Sequence, residues 1–153
     1  MAGFLSSVGF AVEDSDEQKE EGAYLLEDLK VSHEDWVCLV EVRGYAKGAK
    51  TSDFQRIERA VRHYERKNGI GPNARWYIVN HNLKNSPDLR PPVLAGASDD
   101  IDVFAEEHGL VIDTRELFKL AKRIEEGAIT AEQARELLRR GTGVFSAVDE
   151  TDG

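Results

Sequence analysis

The sequence feature that most constrains the fold is an apolar run at residues 36–42, WVCLVEV, built from residue types that favour β-strands. It lies between a turn at residues 32–35 and a loop of glycine and lysine at residues 44–50. Apolar residues at consecutive rather than alternate positions are typical of a strand that is buried on both faces of a sheet. The only charge in the run is Glu41, and a buried carboxylate needs a partner because its desolvation is costly. The run therefore predicts a covered sheet with an acid near the end of one inner strand.

The rest of the chain predicts strands first and then an alternation of strands with helices. A helical turn is expected at residues 4–7, and strands at residues 10–12, 23–31, 36–42, 75–80 and 110–113. Helices are expected at residues 52–68, 99–108, 114–126 and 130–140. Ser52 with Gln55, and Thr130 with Gln133, match the capping box that opens a helix. This order favours an α/β fold with a mixed central β-sheet flanked by helices and a helical pair at the C-terminal end.

The length of 153 residues suits one domain, which we place at residues 1–140, followed by a flexible acidic tail at residues 141–153. One cysteine excludes an internal disulfide. No apolar run approaches the roughly 18 residues of a membrane span, and no basic leader opens the chain, so we expect a cytoplasmic protein without a membrane partner. The glycine patterns of dinucleotide-binding and P-loop proteins are absent from the sequence.

The charge of the chain is uneven, although its net value is −9. Residues 43–90 carry eleven Lys and Arg against four acids, so the middle of the chain is basic. Binding to phosphates depends on local rather than total charge, so this region can face a nucleic acid. The alternative is an ordinary solvated surface. The candidate nucleic-acid-binding residues are Lys47, Lys50, Arg59, Arg62 and Arg90.

Two acids interrupt neighbouring apolar segments, Asp28 in LLEDLKV and Glu41 in CLVEVRG. If the two segments form a hairpin, the acids lie close together and repel unless a cation such as Mg²⁺ sits between them. Arg43 lies two residues beyond Glu41, on the same side of the strand, where it can bind an anion. The alternatives are a solvated Asp28 and an ion pair between Glu41 and either Arg43 or a helix arginine such as Arg59.

Asp28, followed after twelve residues by Glu41, Val42 and Arg43 and then by a helix that carries Gln55, resembles the PD-(D/E)XK superfamily of metal-dependent nucleases. The resemblance covers about residues 9–121 and implies a restriction-endonuclease-like fold. The chain departs from the family pattern at Arg43, which stands where the signature has lysine. Arginine stays protonated, so it can bind a phosphate but cannot act as a general base.

The resemblance implies a metal-dependent nuclease that hydrolyses DNA phosphodiester bonds with Mg²⁺ or Mn²⁺ as cofactor. Asp28, Glu41 and the carbonyl of Val42 would be metal ligands, and the catalytic residues would be Asp28, Glu41, Arg43 and Gln55. The alternative is a degenerate nuclease fold that binds DNA or a protein partner without cutting. The sequence does not separate RNA from DNA, and it is compatible with a homodimer or with part of a larger protein.

Overall fold

The computed structural model describes residues 1–15 and 27–148. The helices in these ranges are α1 (Ala2–Ser7), α2 (Asp53–Asn68), α3 (Ser98–Glu106), α4 (Thr114–Glu125) and α5 (Ala131–Arg140), with a 3₁₀ turn at Pro87–Leu89. The strands are β1 (Ala11–Asp14), β2 (Leu29–His33), β3 (Trp36–Gly44), β4 (Ala74–Asn80), β5 (Gly109–Asp113) and β6 (Gly143–Val144).

Within the described ranges the strands form one six-stranded sheet in chain order, β1 to β6. The first three strands pair antiparallel, and β3 to β6 pair parallel. This arrangement confirms the predicted mixed sheet, and the C-terminal helical pair is formed by α4 and α5.

Helices cover both faces of the sheet. On one face, Val40, Trp76 and Ile112 pack with residues of α1, α4 and α5. On the other, Leu39 and Tyr77 pack with residues of α2 and α3. Residues 38 to 41 are all buried, which agrees with the prediction that β3 is covered on both sides.

Two capping boxes were predicted, and one forms. The hydroxyl of Thr130 accepts the backbone N–H of Gln133 at 3.1 Å, and the Gln133 side chain accepts the Thr130 N–H at 2.9 Å. The box at Ser52 and Gln55 is wrong: Ser52 has helical backbone angles and its side chain makes no capping bond. An N-cap residue needs an extended backbone to direct its oxygen at the first turn, and Ser52 lacks one.

The flexible tail expected from residue 141 onward needs a correction. Residues 143 and 144 form β6 against β5, and Phe145 and Ala147 are buried in the core. The N–H of Ala147 donates to Glu116 Oε2 at 2.9 Å, and its carbonyl accepts from Arg123. Apolar burial and these bonds hold the segment, which therefore belongs to the folded domain. Residues 149–153 of the predicted tail, and residues 23–26 of the predicted second strand, lie outside the described ranges.

Candidate metal and phosphate site

The structure brings Asp28 and Glu41 together across two antiparallel strands. Leu29 pairs with Val40, so the next step of the same register sets Asp28 opposite Glu41. The N–H of Asp28 donates to the Val40 carbonyl at 3.0 Å, and Asp28 Oδ2 accepts the N–H of Val42 at 2.8 Å. These bonds fix the position of the Asp28 carboxylate beside β3.

The carboxylate of Glu41 is buried and only half satisfied. Its side chain is 1% exposed, and its Oε1 accepts from Arg43 Nε at 2.8 Å and lies 3.1 Å from Arg56 Nε. Its Oε2 has no hydrogen-bond partner among the described residues. Burial and the charge of Asp28 raise the pKa of Glu41 to about 7, against the opposing effect of Arg56 and Arg43. One oxygen of this buried carboxylate thus lacks a hydrogen-bond donor among the described residues.

Arg43 lies between two acids. Its Nε is 4.0 Å from Oδ1 of Asp53, which is the first residue of α2. The other oxygen of Asp53 accepts the hydroxyls of Tyr45 and of Tyr77, the latter at 2.6 Å. Burial and these bonds to Asp53 raise the pKa of both tyrosines above its ordinary value, so the hydroxyls stay protonated donors.

Helix α2 presents Arg56, not Gln55, to the two acids. Successive helix residues are about 100° apart, so Asp53 and Arg56 share the side that faces β3 while Gln55 turns away. Gln55 is exposed in a groove between α2 and α3, together with Arg75 and Glu107. The helix arginine that pairs with Glu41 is Arg56 rather than the expected Arg59. The sequence held a signal for this arrangement. Asp53 and Arg56 are three residues apart, as residues on one side of a helix are, and they come just before Ile57 and the other core positions.

The residues proposed to bind nucleic acid differ in how free their charges are. Lys47 and Lys50 are exposed in the loop before α2, and Lys50 Nζ lies 5.3 Å from the ring centre of Tyr45. Arg59 and Arg62 are exposed on α2, where Arg62 pairs with Glu58 at 2.6 Å.

Arg90 is engaged inside its own loop. Its Nη1 donates to Asn80 Oδ1 at 2.9 Å and its Nε to the Asn85 carbonyl at 3.2 Å. The guanidinium of Arg90 therefore stabilises the loop after β4. This geometry indicates a structural role for Arg90 and not a guanidinium that is free to bind a phosphate.

A second buried carboxylate, Asp113, ends β5 on the same face of the sheet. Its Oδ1 accepts the N–H of Arg115 at 3.0 Å, and its Oδ2 accepts from Arg115 Nη2 at 2.6 Å and lies 3.0 Å from His81 Nε2. Burial opposes ionisation, but the hydrogen bonds from Arg115 and His81 lower the pKa of Asp113 below its ordinary value of 3.8. His81 is itself buried, with Asn82 Nδ2 2.8 Å from its Nδ1.

Arg115 connects this acid to the loop that follows β4. Its guanidinium donates to three carbonyl oxygens at 2.9 to 3.1 Å, those of Pro87, Arg90 and Pro91. Asp113, His81 and Arg115 therefore form a cluster, here called the Asp113 cluster, that holds the loop after β4 in place. No sequence motif pointed to it, because its members come from the loop after β4, from β5 and from α4.

The donor set suits a hard divalent cation. No cluster of three or more His, Cys, Asp and Glu side chains suited to a metal occurs in residues 1–15 and 27–148. Asp28 and Glu41 are the paired acids, and Mg²⁺ is commonly bound by one or two carboxylates, a carbonyl and several waters. When Glu41 is ionised its buried, unpartnered Oε2 is an acceptor, and a cation is then a chemically suitable partner for it.

The arrangement of sheet and helices defines a restriction-endonuclease-like fold. The solved structure of restriction endonuclease FokI bound to DNA is similar to this chain, with a TM-score of 0.54 and 15% sequence identity. The match covers 94% of this chain and 26% of the FokI chain, so this protein spans about a quarter of FokI's length. At this identity the likeness shows the fold alone. No family model and no curated protein sequence matches the chain.

None of the helices in the described part of the chain is both long and apolar enough to cross a membrane.

Proposed function

We propose that this protein is a metal-dependent nuclease that hydrolyses phosphodiester bonds in DNA. The observation that carries the proposal is the buried Glu41 carboxylate beside Asp28, with one oxygen lacking any partner among the described residues. Most buried side-chain polar atoms in proteins have a hydrogen-bond partner, so an unpartnered carboxylate oxygen at this depth supports a ligand there. The restriction-endonuclease-like fold supports the assignment, since Asp28 directly precedes β2 and Glu41 lies on the neighbouring β3.

In this proposal Asp28, Glu41 and the carbonyl of Val42 hold Mg²⁺ or Mn²⁺. A cation held there would supply an activated water and neutralise charge on the phosphate. Arg43 binds a phosphate oxygen and remains protonated throughout, so it contributes charge and geometry but accepts no proton. Arg56, whose side chain is 46% exposed, is a second cation within reach of the same phosphate.

The DNA contacts in this proposal come from the exposed bases near the site. Lys47 and Lys50 precede α2, and Arg59 lies on its outer side. Such side chains bind the phosphate backbone and therefore position the duplex without reading its sequence. FokI was solved bound to DNA, which supports DNA as the first substrate to test. RNA as a substrate, assembly as a homodimer or within a longer protein, and a cytoplasmic location remain predictions.

The deciding experiment is a thermal-shift titration with Mn²⁺ on the wild type, Asp28→Asn and Glu41→Gln. A ligand that binds only the folded state at about 100 times its Kd adds about 2.7 kcal/mol of stability. We expect the wild type to gain stability and both variants to lose that gain. Glu58→Gln is the matched control, because it removes an exposed acid that pairs with Arg62, and its shift should equal that of the wild type. Plasmid nicking in Mn²⁺ should follow the same pattern.

A second candidate is a module that binds DNA or a protein without cleavage. It is favoured by the two guanidinium groups that already share Oε1 of Glu41. It predicts no Mn²⁺ shift in the wild type and no nicking, while DNA binding still weakens on removal of Lys47 and Lys50. A wild-type Mn²⁺ shift that Glu41→Gln abolishes would contradict it.

A further inference from the structure

Arg43 stands in the way of a cation at Glu41. Its Nε lies 2.8 Å from Oε1, so a divalent ion that enters this carboxylate meets a fixed positive charge. Like charges on one carboxylate repel, and the repulsion is strong where water is excluded. Metal binding therefore requires the guanidinium to move away or the affinity to fall.

Arg43 also needs a new counter-charge when it leaves. Its side chain is 33% exposed, so most of it is removed from water, and a buried cation that loses its partner is costly. Arg56 is different because 46% of its side chain is exposed, and water can replace Glu41 as its partner. Arg43 is therefore the arginine that needs a second protein partner.

Asp53 is positioned to be that second partner. Its Oδ1 is 4.0 Å from Arg43 Nε, so a small side-chain rotation completes the ion pair. Its Oδ2 is held by the hydroxyls of Tyr45 and Tyr77, which fixes the carboxylate. Asp53 lies in the first turn of the 16-residue helix α2, where the backbone N–H groups favour a negative charge.

We propose that Asp53, positioned by Tyr45 and Tyr77, receives the Arg43 guanidinium from Glu41 when a divalent cation binds Asp28 and Glu41. Asp53 is then a positioning residue that keeps Arg43 beside the cation but off its ligands. The inference rests on the proposed function, because it assumes a cation at the two acids.

The test is a double-mutant cycle on Mn²⁺ affinity, measured by calorimetry with the full chain. With Arg43 present, Asp53→Asn should weaken Mn²⁺ binding about tenfold, because the guanidinium then stays on Glu41. In an Arg43→Ala background the same change should cost less than about twofold, since no guanidinium needs a second partner. Tyr45→Phe, which keeps the charge of Asp53 but loosens it, should give a smaller loss that also disappears in Arg43→Ala.

The outcomes separate this inference from the proposed function. Equal losses in both backgrounds would mean that Asp53 acts on the cation directly, and no loss in either would mean that it plays no part; each overturns the inference and leaves the metal site standing. A wild type that binds no Mn²⁺ overturns the metal site and the inference together. If Asp53→Asn does not fold, the cycle with Tyr45→Phe decides, and equal losses there also overturn the inference.

Discussion

Two buried carboxylates lie near the carboxyl ends of parallel strands on the same face of the sheet, and their surroundings are opposite. Asp113 at the end of β5 is hydrogen-bonded through both oxygens, to Arg115 and His81. Glu41 on β3 shares one oxygen between two guanidinium groups and leaves the other unpartnered among the described residues. The pKa of Asp113 is accordingly lowered, whereas that of Glu41 is raised to about 7.

The difference separates an acid whose charge stabilises the fold from an acid whose charge the fold disfavours. The charge of Asp113 stabilises the fold, because hydrogen-bond donors surround the carboxylate and Arg115 links it to three loop carbonyls. The charge of Glu41 lowers the stability of the folded protein, since burial and Asp28 disfavour its ionisation more than the two arginines favour it. Raised carboxyl pKa values of this kind are concentrated at functional sites, which is why Glu41 is proposed as a metal ligand.

The largest expected effect is the loss of stability in Asp113→Ala. Removing one partner of a buried ion pair costs about 3 to 5 kcal/mol, and here His81 and Arg115 both lose their acceptor. Urea unfolding measures the change. Asp88→Ala, an exposed acid in the same loop, is the control and should stay close to the wild type. A loss below about 1 kcal/mol would show that Asp113 does not fasten the loop.

The opposite sign is expected at Glu41. At pH 8, Glu41→Gln should raise the free energy of unfolding by about 3 kcal/mol, because it removes a buried charge whose pKa is raised from 4.5 to about 7. Urea unfolding without added metal measures this. A destabilised variant would indicate that the pairing with Arg43 and Arg56 outweighs burial, and the contrast with Asp113 would disappear.

The pH dependence of that gain sharpens the contrast. Between pH 4.5 and about 7 the folded protein retains the Glu41 proton that the unfolded chain has lost, so wild-type stability falls relative to Glu41→Gln as pH rises. The slope should not exceed about 1.4 kcal/mol per pH unit, and the difference should level off about one pH unit above that pKa. Asp113 acts in the other direction, since its contribution is lost only in acid below its ordinary pKa of 3.8. A difference that does not vary with pH would contradict the raised pKa of Glu41.

The smallest effect is expected from Arg115→Lys. Lysine keeps the charge beside Asp113 but cannot donate to that acid and to three carbonyls at once, so we expect a loss of about 1 kcal/mol. Limited proteolysis should then cut residues 81–97 faster than in the wild type. Arg62→Lys, which changes an exposed ion pair, should leave the cleavage rate unchanged.

The sequence predicted the parts of the fold and site that depend on local pattern. A charge inside an apolar run identified Glu41, and the neighbouring acid Asp28 followed from the expected hairpin, whose register the structure provides. The helix at Thr130 was predicted because both side chains of its capping box are local.

The rest depends on tertiary contacts. His81 and Asp113 are 32 residues apart, and their meeting needs the pairing of β4 with β5. Whether Arg56 or Gln55 faces the two acids depends on the rotation of α2 about its axis, and capping patterns do not determine that rotation. Strand β6 has two residues and no periodicity to detect, so its attachment follows only from a formed β5.

The order of the sheet has a consequence for how the molecule is assembled. Each strand pairs with the one preceding it in the chain, so no strand has to insert between two already joined. The parallel strands are joined by long connections, residues 45–73, 81–108 and 114–142, each of which carries at least one helix. The outermost ladders are also small, with four residues in β1 and two in β6, which gives a neighbouring molecule little exposed backbone on which to add a strand.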